Sequence, residues 1–86
     1  MKLEFKEENG KFVSVFNVTG DFNLHLEQKL YGIISVLQSI YEEGPFAVAK
    51  VFQDRVINCD FGALVYPKYI KVVSDSEVIN AEVNFA

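Results

Sequence analysis

Cys59 and His25 are the only cysteine and the only histidine of this 86-residue chain, and a Cys–His pair is the sharpest chemistry its residue types allow. A histidine base within hydrogen-bond reach could generate a nucleophilic thiolate. However, Cys59 alternates in register with Ile57 and Phe61, which predicts a buried position where the thiol behaves as a small hydrophobe. His25 falls on a polar face if its segment is a strand. The pattern therefore favours an inert cysteine.

Asp60 is the acidic residue of most chemical interest, because it follows Asn58 by two positions on a predicted strand. A desolvated carboxyl group there could act as a general acid or base. Asp54 and Asp75 occupy predicted turns, which aspartate favours for backbone reasons alone. A solvated surface is the better interpretation of Asp60, so we expect no catalytic residue and no enzyme.

Metal, cofactor and nucleic-acid binding are not indicated by the composition. One Cys and one His fall short of the four ligands of a structural zinc site, and the five isolated glycines form no phosphate-binding loop. Eight Lys and Arg against twelve Asp and Glu give a net charge of −4, with no basic cluster for a phosphate backbone. No apolar run reaches membrane-spanning length, and no signal peptide is evident. A cytoplasmic protein without metal or cofactor is the expectation.

The chain reads as a single domain, residues 1–86, with period-two alternation typical of half-buried strands. Asn9-Gly10 predicts a type I′ hairpin in which Glu8 faces Lys11 and Leu3 faces Phe16. Its core face then carries Leu3, Phe5, Phe12, Phe16 and Val18.

The spacing of Leu26, Leu30, Ile33, Leu37 and Ile40 predicts an amphipathic helix from about Glu27 to Glu43, ended by Gly44-Pro45. Residues 22–26 fit either a short strand or the start of this helix. The helix start is the preferred of the two.

Two further hairpins are predicted after the helix. One joins Phe46–Phe52 to Arg55–Phe61 around Gln53-Asp54, and its core face includes Val48 and Cys59. The other joins 69–73 to 77–85 through Asp75-Ser76, and its core face includes Ile79 and Val83. The predicted fold is therefore α+β, with one amphipathic helix packed on an antiparallel sheet of five or six strands.

Surface composition points to protein binding. The predicted outer helix face is weakly charged and contains small residues beside Tyr31, which would let a second backbone approach closely. The candidate interface residues are Tyr31, Gly32, Ser35, Gln38, Ser39, Asp60, Tyr66 and Tyr69.

A non-enzymatic interaction module that self-associates, as an inhibitor or accessory protein, is the leading functional hypothesis. Half of the residues are apolar, which is more than a domain of this size easily buries, so a homodimer is expected. Its contact is predicted on the helix face or on the lysine-free strand 77–85. The alternatives are a small-molecule binder with a Phe-lined pocket between helix and sheet and, less favoured, an enzyme using Asp60.

Overall fold

Six antiparallel strands form one sheet in the computed structural model, which describes residues 1–62 and 68–85. They are β1 (Lys6–Glu8), β2 (Lys11–Val18), β3 (Phe22–Ser39), β4 (Ala47–Phe61), β5 (Lys68–Ser74) and β6 (Val78–Phe85). None of the described residues is helical, so the prediction of an α+β fold is wrong. Accordingly, the described ranges hold no helix that could cross a membrane.

The N-terminal hairpin has the predicted turn. Glu8 pairs with Lys11, and Asn9 and Gly10 have φ values of 52° and 79°, the left-handed conformation that a type I′ turn requires. The chain before β1 diverges from the prediction, because Leu3 does not face β2. Its amide donates to the carbonyl of Ala81, 3.0 Å away, so the N-terminus runs along β6 instead.

The long strand β3 is the centre of the sheet, because it pairs with three other strands. Its first part lies between β4 and β6, where Leu24 is opposite both Cys59 and Val83. Its second part lies between β4 and β5, where Val36 is opposite both Lys50 and Val72. β2 then pairs with β5, and β1 with β2.

The sheet folds on itself and encloses the core between its two halves. Pairing of β3 with β4 is interrupted between Glu27 and Gly32, which divides both strands into two parts. Phe22 belongs to the resulting core, where its ring stacks on Phe61 at 5.0 Å and meets the edge of Phe16 at 5.9 Å. The buried cluster comprises Phe16, Val18, Phe22, Leu24, Leu26, Ile34, Val36, Ile57, Ile70, Val72, Ala81 and Val83.

The segment predicted as a helix is strand because its buried residues alternate. Ile34 and Val36 are fully buried, whereas Leu30 and Ile40 of the supposed helical stripe are exposed. Residues such as Ile34 and Val36 also favour strands, because their β-branched side chains pack well on a pleated surface. The less favoured interpretation of residues 22–26, a strand, is the one observed.

The two C-terminal hairpins are also corrected. Residues 53 and 54 form no turn, since β4 continues through them, and Val48 is exposed rather than buried. β5 and β6 are separated at Asp75-Ser76 as predicted, but they pair with successive parts of β3 and not with each other. Ile79 is consequently exposed, while Ala81 and Val83 are buried.

Candidate protein interface

The polar outer face covers the half of the sheet formed by β6, the first part of β3 and the last part of β4. Two cross-strand rows define this polar face: Asn84, Asn23 and Asp60 in one, and Glu82, His25 and Asn58 in the next. Asn23 Nδ2 donates to Asn58 Oδ1 at 2.6 Å and to Asp60 Oδ1 at 2.8 Å. These side chains form hydrogen bonds with one another across neighbouring strands, as polar pairs on a solvated sheet surface do.

Cys59 and His25 lie on opposite faces of the sheet, so they form no Cys–His pair. Cys59 is opposite Leu24 and points to the interior, whereas His25 is opposite Asn58 on the polar face. The thiol is half-buried rather than buried, and Lys50 Nζ lies 3.6 Å from its sulfur. The described residues also bring together no group of three His, Cys, Asp or Glu side chains suited to a metal ion.

Gln28 fills the interruption between β3 and β4. Its side chain is completely buried, and its Nε2 donates to the carbonyls of Gly32 at 3.0 Å and Asp54 at 2.6 Å. Its Oε1 lies 2.5 Å from Ser74 Oγ and accepts from the Ser76 amide at 3.3 Å. Gln28 thus replaces the missing backbone ladder and joins β3, β4 and the β5–β6 junction at one point.

The outer face of the other half of the sheet is apolar. One cross-strand row contains Val73, Ser35 and Val51, and the next contains Val15, Lys71, Leu37 and Val48. Ile33 adjoins the first row on the same side of β3, since the adjacent Ile34 points inward. We name this surface the valine face, and it consists of Val15, Ile33, Leu37, Val48, Val51 and Val73.

Four side chains of the valine face are substantially exposed. Val48 and Val51 of β4 are 61% and 54% accessible, and Ile33 and Val15 are 41% and 44% accessible. An isolated exposed valine is ordinary, but neighbouring exposed apolar residues on adjacent strands are typical of an interaction surface.

The predicted interface residues of the supposed helix do not gather on one surface, because residues 27–43 form no helix. Ser35 and Ser39 point to the same side of β3 as the valine face, and Ser39 is buried with its hydroxyl accepting from the Tyr41 amide at 3.0 Å. Tyr69 is opposite Ser39 on β5 and is half-buried.

The remaining predicted residues are dispersed. Tyr31 is exposed within the interruption of the β3–β4 pairing, and Gly32 is the residue at which this pairing resumes, opposite Asp54. Gln38 is half-buried, Asp60 lies on the polar face, and Tyr66 falls outside the described residues. Their role in binding stays a prediction.

Sequence reasoning missed the valine face because it placed β4 in a hairpin and β3 in a helix. The signal in β3 was limited to Ile33 and Leu37, which lie on the same side of a strand with Ser35 between them, and their outward direction could not be read from alternation alone.

The predicted Phe-lined pocket between helix and sheet does not exist, because there is no helix among the described residues. Surface clefts are found instead. One, of about 420 Å³, lies between the N-terminal segment and β6, and its lining includes Phe5, Phe12 and Ile79. Another, of about 480 Å³, lies at the end of the polar face beside Asp60 and Phe85.

Comparison with protein-family models, with curated proteins and with solved structures finds no match for this chain. Its surfaces are therefore the basis for a functional proposal.

Proposed function

We propose that this protein is a non-enzymatic interaction module of the cytoplasm that binds a partner protein through the valine face. The observation that carries the proposal is the contrast between the two outer surfaces of one sheet. The polar face is covered by amides and carboxylates that bond to one another, whereas Val48 and Val51 lie uncovered on the other half.

Burial of the valine face would provide the free energy of binding. Burying a fully exposed valine side chain contributes about 1.5 kcal/mol or more, and roughly half of this remains to be gained at Val15, Val48 and Val51, which are 44–61% accessible. The exposed positions Val48 and Val51 of β4, Ile33 of β3 and Val15 of β2 are a reasonable centre for an interface. The polar residues Ser35 and Lys71 lie between them in the cross-strand rows, and Gln53 is opposite Ile33. The partner surface that fits this arrangement is apolar at its centre.

Site-specific photo-crosslinking in cells of the source organism tests the proposal. We expect a photoreactive residue at Val51 to form a defined adduct with one partner, and the same residue at Asn84 on the polar face to form none. A Val48→Glu substitution in the Val51-labelled protein should abolish the adduct, because it places a charge in the apolar centre. Equal labelling from both positions, or an adduct that survives Val48→Glu in a folded protein, would contradict the proposal.

A further inference from the structure

The outer edge of β4 has backbone N–H and C=O groups that could pair with another strand. β4 ends the strand order, and within the described residues its outer edge pairs with no strand. Residues 47–56 are all exposed except Phe52, which is half-buried. An exposed edge of this kind invites pairing with another chain.

One hydrogen bond shows which backbone groups of β4 point toward this edge. The carbonyl of Asp54 accepts from Gln28 Nε2 of β3, so the peptide groups of residue 54 point toward β3. The pairing of β4 with β3 is regular from Asp54 to Lys50, and along a strand the backbone N–H and C=O groups of successive residues point to opposite sides. Lys50 and Phe52 therefore also bond toward β3, and Val51 and Gln53 present their N–H and C=O groups to the open edge.

We infer that a second copy of this chain pairs with this edge in antiparallel orientation, with the two-fold axis at Phe52. The inference rests on the proposed function and supplies a partner for the β4 edge. In this register Val51 of one copy is opposite Gln53 of the other, so the groups that face the edge meet each other.

The charges of β4 select this register. Lys50 and Asp54 form no ion pair within the described residues. Lys50 Nζ lies 3.6 Å from Cys59 Sγ and 5.2 Å from the centroid of the Phe52 ring. With the axis at Phe52, Lys50 of each copy is opposite Asp54 of the other, which gives two opposite-charge pairs.

In the two nearest registers in which edge-facing backbone groups still meet, Lys50 is not opposite Asp54. An axis at Val51 places Lys50 opposite Phe52, and an axis at Gln53 places it opposite Val56. A register shifted by a single residue would place a residue whose backbone groups face the open edge opposite a residue whose backbone groups face β3. Such a register cannot form inter-strand hydrogen bonds.

This dimer would join the valine faces of both copies. Val51 and Gln53 point to the same side of the sheet as Ile33, and directly opposed residues of an antiparallel pair share a face. The two apolar surfaces would then lie side by side on one continuous sheet.

Sedimentation equilibrium on the full chain with charge-reversed variants tests the inference. We expect a dimer in the wild type, and Lys50→Asp or Asp54→Lys alone should raise its dissociation constant about tenfold, because each turns two attractions into two repulsions. The double variant should restore the wild-type value. Lys29→Asp and Glu43→Lys are matched controls at exposed positions away from the edge and should leave the constant unchanged.

Two results would overturn the inference. One is a monomer at every concentration, and the other is a dimer that the double variant fails to restore when circular dichroism shows the native fold. The proposed function is judged separately, by the Val51 adduct. Because Val51 is opposite Gln53 of the second copy in the dimer, only an adduct with a different protein supports the proposed function. A monomer that still forms such an adduct removes the dimer alone, whereas a dimer whose Val51 label captures only the second copy removes the proposed function alone.

Discussion

The side chain of Gln28 and the hydroxyl of Ser74 are both completely buried and lie 2.5 Å apart, where the sheet folds on itself. Gln28 comes from the interrupted part of β3, and Ser74 is the last residue of β5. Together with the Gln28 bonds to Gly32 and Asp54, this contact explains how the sheet can lose part of its ladder while no buried side-chain nitrogen or oxygen among the described residues is left unpaired.

Gln28→Ala should destabilise the fold by about 2–5 kcal/mol, because it leaves a cavity and removes partners from buried backbone and hydroxyl groups. Urea unfolding followed by circular dichroism measures the free energy of unfolding. Gln53→Ala makes the same change at an exposed position of β4 and should cost less than about 0.5 kcal/mol. Equal losses from the two variants would contradict the role assigned to Gln28.

Leu26→Ala and Leu30→Ala distinguish the strand from a helix. Both leucines belong to the helical stripe, yet Leu26 is 0% and Leu30 is 65% accessible in the strand. We expect a loss of about 2–5 kcal/mol for Leu26→Ala and below about 0.5 kcal/mol for Leu30→Ala, measured by urea unfolding. Comparable losses would indicate that Leu30 also packs in the core.

Stability should depend on pH through Asp75. The Lys11 ammonium donates to the Asp75 carboxylate and the Ile33 amide donates to it at 3.2 Å, and both hold the pKa of Asp75 below its ordinary value of 3.8. Because folding lowers this pKa, the ionised carboxylate stabilises the fold in full above the unfolded value, and this contribution disappears as pH falls through the folded value.

Asp75→Asn isolates this effect from the other acids. The difference in unfolding free energy between wild type and Asp75→Asn should be constant near neutral pH and should shrink as the pH falls below 3.8. Added salt should reduce the difference at neutral pH, since Asp75 and Lys11 are partly exposed. A difference that does not change with pH would show that the carboxylate is not specifically stabilised.

Proline substitutions test which amides of β4 face the open edge. Gln53→Pro should retain the β-sheet circular dichroism spectrum and lose the dimer, because its amide bonds to no strand within the described part of the chain. Phe52→Pro should unfold the protein beyond the effect of Phe52→Ala, since it also removes a donor to β3. If Gln53→Pro unfolds the protein as readily as Phe52→Pro does, the amide of Gln53 does not face the open edge of β4, and the assignment is wrong.

Local pattern determined the features whose partners are close in sequence. The Asn9-Gly10 turn and the pairing of Glu8 with Lys11 follow from the positive φ that these two residues tolerate. Alternation likewise predicted that Val83 of β6 is buried, although Ile79 of the same predicted face is exposed. In these segments one buried face sets a period of two, and this period can be read without knowing the partner strand.

Only the tertiary structure decided the conformation of residues 27–39 and the exposure of β4. From Phe22 to Val36 the buried residues of β3 keep even positions across the interruption, and the helical spacing arose because the inward Leu26 was combined with Ile33 and Leu37, which lie on the valine face. The strand is stabilised by pairing with residues 9 to 63 positions away, from Gln38 with Ala47 to Phe22 with Phe85. β4 has the alternation of a core strand, yet Val48 and Val51 are exposed because no layer covers them within the described chain. Burial depends on which segments meet in space, and alternation along one strand does not specify its partners.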